Sequence, residues 1–206
     1  MTDRPTIFSA PMVRALLDGR KTQTRRVLKP QPVWDNGAIG IEDDAGRWAY
    51  CSNTERGFGE GLPRSRFKLP YAIGDRLWVR EAHAFDSVMV RYYATDDVHE
   101  LRKKRSPIHM PRWASRLTLT VTDVRVQRLQ EISEADAQAE GFPISWDGKP
   151  YDPPSPQEDI WQGYGRASMS LYWTSLHGPD AWAANPWVAA ISFTVARRTI
   201  DAGGDA

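Results

Sequence analysis

Three side chains in this sequence have the types and the setting for acid–base chemistry. Lys21 directly follows the helix stop Gly19-Arg20, and Thr24 stands three residues further on. Glu81 ends the run Gly74-Asp75-Arg76-Leu77-Trp78-Val79-Arg80-Glu81, a carboxylate among apolar neighbours. An amine, a hydroxyl and a carboxylate held together can move a proton, supply or orient a nucleophile and stabilise developing charge. Desolvation and the neighbouring Arg20, Arg25 and Arg26 would pull the Lys21 amine towards the range of a useful base. Plainer readings compete. Gly-Arg-Lys-Thr is also a good helix C-terminus, where cations complement the helix dipole. A buried Glu81 also reads as half of a structural ion pair with an arginine such as Arg25, Arg26 or Arg80.

The elements around these residues set a geometric demand. Pro5 to Phe8 reads as a strand. Ser9 caps a helix with Pro11 in its first turn, Met12, Val13, Leu16 and Leu17 on one face, and Gly19 as its stop. Thr22 to Leu28 returns as a strand. A regular strand would put residues 21 and 24 on opposite faces, so their convergence requires that the chain still be turning, or bulged, at Lys21. In the second strand Leu77, Val79, Glu81 and His83 share a face. Val88 to Thr95 is another strand, and Ile108 to Arg116 is a compact loop of His, Arg and Trp. Apolar alternation changes phase near Thr122-Asp123, which predicts a bulge in one long strand. Ser133 caps a short helix through Glu140 with Gly141 as its stop, and Asp136 occupies the capping-box position. Arg166 to Leu176 is a helix with Met169, Tyr172, Trp173 and Leu176 on one face. Trp187 to Val195 alternates as a final strand.

Length and composition bound the rest. The 206 residues suit one domain over 1–200, with an insertion at about 30–70 and a disordered tail at 201–206. Within the insertion, 38–41 and 47–51 flank Asp43-Asp44-Ala45-Gly46 as a small hairpin. The stretch from Phe142 to Trp161 is a loop with five prolines. A net charge of +1 argues against tight nonspecific nucleic-acid binding, and the basic run Arg102 to Arg105 reads as a solvated face. One cysteine excludes an intrachain disulfide, and four histidines without ligand spacing leave no metal and no cofactor expected. With neither a spanning apolar run nor a signal-peptide pattern, a soluble cytoplasmic protein is expected. Strands outnumber helices and most look antiparallel. The expected fold class is α+β, a small mixed β-barrel with two to three helices packed outside.

The run Gly19-Arg20-Lys21-Thr22-Gln23-Thr24-Arg25-Arg26 resembles the Gly-x-Lys-x-x-(Glu/Thr)-x-Arg signature of the ASCH domain family, a branch of the PUA-like barrels. Gly74-Asp75-x-Leu-Trp-Val-Arg-Glu81 is similar to its second hallmark. The segment Leu129 to Phe142 and the entry Asn185-Pro186-Trp187 into the last strand resemble it as well. The whole is similar to the larger ASCH proteins of phages and prophages, with Val33 to Arg66 and Asp147 to Asp159 as departures. The resemblance implies a PUA-like barrel and ligands of nucleobase, nucleoside or RNA type. Some members are amidohydrolases that remove the acyl group from N4-acetylcytidine. Their catalytic lysine, threonine and glutamate map onto Lys21, Thr24 and Glu81. The expected substrate is then a small nucleoside, with Thr24 as nucleophile or water-orienting group and Lys21 and Glu81 sharing the proton transfers. Arg26, Trp78, His109, Arg112 and Trp113 are candidates for binding it. The rival expectation is a noncatalytic RNA- or nucleotide-binding module, with Arg20, Arg25, Arg26 and the Arg102–Arg105 run on phosphates and Trp faces on bases, or a ribonuclease, with RNA as partner.

Overall fold

The structure, a computed structural model, describes residues 2–29, 31, 71–86, 89–96, 104–141 and 164–202, with the strand backbone of 33–35, 38–42 and 48–50. The chain runs β1 (Asp3–Ile7), α1 (Ala10–Leu17), β2 (Gln23–Val27), β3 (Val33–Asp35), β4 (Ala38–Glu42), β5 (Trp48–Tyr50), β6 (Arg76–Arg80), β7 (His83–Phe85), β8 (Val90–Tyr92), β9 (Thr118–Arg128), α2 (Glu134–Ala139), α3 (Tyr164–His177) and β10 (Trp187–Ala196). The fold is α+β.

Five strands form the main sheet, in the order β1-β6-β9-β10-β2. All neighbours are antiparallel except β1 and β6, which run parallel. Among the described residues the sheet is open, not the closed barrel expected. Pro5 lies in outer strand β1, where its missing N–H breaks no second ladder. The two outer strands are nevertheless tied together by a side chain. Arg26 of β2 donates from Nη2 to Ile7 O at 3.0 Å and to Thr6 Oγ1 at 3.3 Å, both on β1.

The predicted bulge is present. Asp123 pairs with Ser192 and Val121 with Phe193, so Thr122 is the extra residue. It lets Leu119 and Val121 on one side of the bulge and Val124 and Val126 on the other all pack on the core. Strand β10 departs from clean alternation, because Trp187 to Ile191 are all buried. It lies between β9 and β2, in the interior of the sheet. The core gathers Leu16, Leu77, Val79, Leu119, Leu129, Ile191 and Phe193, with Met169 and Trp173 of α3 packed on it.

Helix α2 begins as expected, with Ser133 Oγ accepting from Asp136 N at 3.0 Å. Helix α1 does not. The Ser9 side chain makes no cap and instead hydrogen-bonds Tyr172 Oη of α3 at 3.0 Å. The predicted 38–41/47–51 hairpin corresponds to β4 and β5, joined by β3 into a separate three-stranded sheet. Apart from Gln31, the rest of the 30–70 insertion, the 142–161 loop and the tail from 203 lie outside the described residues. No helix among the described residues is long and apolar enough to cross a membrane.

Candidate functional site

Lys21 is placed by a turn. Gly19 takes the left-handed conformation at φ 75, and Lys21 N then donates to Ala15 O at 3.0 Å. Thr22 N donates to Ala139 O at 2.7 Å, which lays the turn against the end of α2. Because β2 begins only at Gln23, Lys21 is not bound by strand alternation. This is the geometry that lets Lys21 and Thr24 reach the same pocket. Gly141 makes the close approach possible. Its φ is 94, and a Cβ there would stand 2.9 Å from Ala15 Cβ and 3.2 Å from Lys21 Cβ.

The approach delivers Glu140 to Lys21. Lys21 Nζ donates to Glu140 Oε2 at 2.7 Å, to Glu140 O at 2.8 Å and to Gln23 O at 2.8 Å. An ammonium has three N–H groups, so all are occupied. Only 1% of Lys21 is exposed, and burial lowers its pKa while Glu140 pushes it back up. The second Glu140 oxygen, Oε1, has a long contact of 3.4 Å from Arg25 Nη1. Arg25 is held by Gln23 Oε1 at 2.5 Å and by Asp136 Oδ2 at 3.1 Å. Burial would raise the Asp136 carboxyl. Hydrogen bonds from Arg125 and Gln23, and the charge of Arg25, outweigh it and hold the group at about 2.

These groups line one side of a cavity of about 370 Å³ at the seam between β1 and β2. Thr24, Arg25 and Arg26 come from β2, Ile7 and Phe8 from the end of β1, and Met169, Tyr172, Trp173, Leu176 and His177 from α3. The predicted apolar face of α3 is therefore the wall of the cavity. Met169 and Trp173 are buried, whereas Leu176 is 57% exposed and forms part of the rim. The Trp173 and His177 rings are in contact at a 44° tilt, with centroids 4.5 Å apart. The Thr24 hydroxyl has no hydrogen-bond partner among the described residues, although Thr24 is only 4% exposed. The cavity thus has an apolar, aromatic wall facing a polar floor that includes the Thr24 hydroxyl.

The structure brings Lys21, Thr24 and Arg26 together and leaves the other expected residues elsewhere. Glu81 is buried, but its carboxylate is taken by Arg116, Nε to Oε1 at 2.8 Å and Nη2 to Oε2 at 2.9 Å. It does not line the cavity. Burial raises its pKa, with Arg116 opposing. Arg116 also lies over the Tyr92 ring at 4.0 Å and donates to Thr95 Oγ1 at 2.9 Å. Glu81 is therefore half of a structural ion pair, with a partner other than the arginines expected. Trp78 lies outside the cavity lining, with the Arg80 guanidinium 5.3 Å from its ring. Arg112 is engaged by Asp3 at 2.6 Å and Asp201 at 2.7 Å. His109 is exposed, and Trp113 is 63% exposed with its ring 5.6 Å from that of Phe85.

Sequence reasoning named Arg25 only as a neighbouring charge or ion-pair partner, and missed Glu140 and Phe8 as cavity residues. Glu140 had a signal: a capped helix that stops at Gly141 puts its last carboxylate beside the stop. Nothing local, however, says that this helix end meets the α1–β2 turn. No protein-family model, curated protein or solved structure matches the chain.

Proposed function

We propose that the seam cavity is a hydrolytic site for the acyl amide of N4-acylcytosine nucleosides. One observation carries the reading: a Thr24 hydroxyl with no partner among the described residues and a buried Lys21–Glu140 pair line the same aromatic-walled cavity. The resemblance of the Gly19–Arg26 run to the ASCH signature supports it. In this reading the five-stranded sheet is a PUA-like sheet left open between β1 and β2, with Arg26 spanning the gap.

The roles follow from who is already bonded. Lys21, with every N–H occupied, orients the Glu140 carboxylate. Glu140, in the place first expected of Glu81, takes a proton from water as the water oxygen bonds to the acyl carbon. Thr24 donates to the acyl oxygen as charge develops on it. The C–N bond then breaks, and the exocyclic nitrogen leaves with the proton held on Glu140. The products are the free amine of cytosine and a carboxylic acid. Phe8 and Trp173 give the base an apolar slot.

Incubation with N4-acetylcytidine should release cytidine, read as an ultraviolet shift, and Glu140→Gln should stop it. A folded protein that turns over no acylcytidine rejects the reading. The second reading is an RNA-binding module. It is favoured by Trp113, an exposed ring backed by Phe85, with the Arg105 guanidinium 4.9 Å from the Phe85 ring. Salt-sensitive RNA binding that is lost in Trp113→Ala, without turnover, would support it.

A further inference from the structure

The charges that line the cavity do not balance. Three cationic side chains, Lys21, Arg25 and Arg26, face one carboxylate, Glu140. Lys21 is paired with Glu140, and Arg25 with Asp136 and Glu140. Arg26 has no carboxylate partner among the described residues. Its Nη2 is spent on two neutral oxygens of β1, Thr6 Oγ1 and Ile7 O. Its Nε and Nη1 donors have no partner among the described residues. The other side of the mouth does not supply the missing charge. Ser9, which precedes α1, lines the cavity, and the first turn of α1 holds no acidic residue.

Arg26 is also held in place. Its guanidinium carbon stands 5.2 Å from the centroid of the Phe8 ring, and the two bonds to β1 fix its plane. A half-buried guanidinium fixed in this way loses little side-chain freedom on binding an anion. We infer that Arg26 is the binding group for a phosphate on the ligand, so that the site takes a cytosine nucleotide unit in preference to a neutral nucleoside. The choice of phosphate, among anions, rests on the nucleoside reading above. The phosphate belongs either to a free mononucleotide or to a polynucleotide backbone.

The test is calorimetric titration of the whole protein with cytidine, cytidine 5′-monophosphate, a short oligocytidylate and inorganic phosphate. The wild type should bind the monophosphate roughly tenfold to a hundredfold more tightly than cytidine. Arg26→Gln should erase that preference, and Arg26→Lys should keep part of it, with circular dichroism confirming that both fold. Tighter Arg26-dependent binding of the oligonucleotide assigns the phosphate to a polymer. Equal or weaker binding of it assigns the phosphate to a mononucleotide. Equal affinity for cytidine and its monophosphate, or a preference untouched by Arg26→Gln, overturns the inference. If no cytosine compound binds, the nucleoside reading fails alone. Arg26-dependent binding of inorganic phosphate then upholds the anion site, and its absence removes the site too.

Discussion

Lys21 Nζ and Glu140 Oε2 lie 2.7 Å apart, with side-chain exposures of 1% and 5%. Residues separated by most of the chain are thereby joined at the meeting of the α1–β2 turn with the end of α2. Breaking a buried pair leaves an unpaired charge in a medium that solvates it poorly. Lys21→Met should therefore destabilise the protein by about 3–5 kcal/mol. The double variant Lys21→Met/Glu140→Leu should recover much of that loss. Urea unfolding of the two single variants and the double variant measures the coupling.

The two glutamates separate by readout. Glu140→Gln should lower kcat on N4-acetylcytidine by about 10²–10⁴-fold. Glu81→Gln should leave kcat near the wild-type value and cost about 1–3 kcal/mol of stability, because Arg116 loses an ionised partner. A Glu81→Gln variant that is stable but inactive would return Glu81 to the chemistry.

Thr24 offers a cleaner probe, since its hydroxyl has no partner among the described residues. Thr24→Val keeps the shape and removes only the oxygen. Its stability should stay within about 1 kcal/mol of wild type, because no hydrogen bond among the described residues is lost. Turnover should fall about 10²-fold or more if the hydroxyl serves the acyl oxygen. Thermal unfolding and initial rates on the same sample decide it.

Asp136 predicts an acid limb. Its folded pKa, about 2, lies below the ordinary value of 3.8. A lowered carboxyl contributes stability that is complete above the unfolded value and is lost as pH falls through the folded one. The wild type should lose stability between about pH 4 and pH 2. Asp136→Asn should be less stable at neutral pH and flatter across that window. A denaturation series in acid buffers compares the slopes.

Gly141→Ala should disturb the site from outside it. The residue sits at φ 94, and the new Cβ would meet Ala15 Cβ at 2.9 Å. A left-handed conformation costs an L-residue about 1–3 kcal/mol. The contact also pushes α2 away from Lys21. Melting temperature and turnover should fall together, whereas Gly178→Ala, at φ 102 with open space around its Cβ, should lower the melting temperature alone.

Much of this molecule was legible in its local patterns. Ser133 and Gly141 mark the ends of α2, the phase change at Thr122 marks the bulge, and the apolar spacing of Met169, Tyr172, Trp173 and Leu176 marks a face of α3. These are short-range properties: capping, steric freedom at a glycine and the periods of helix and strand. The turn that carries Lys21 ahead of the regular strand was legible for the same reason. The buried state of Glu81 could be read from strand alternation, but its partner could not.

Which carboxylate meets Lys21, which arginine neutralises Glu81, and whether β1 and β2 pair or leave a seam were decided by tertiary structure alone. Each depends on contacts between distant segments, and sequence spacing carries no information about their separation in space. Periodicity says that a charge is buried. Only the packing of α2 against the α1–β2 turn says what it is buried against.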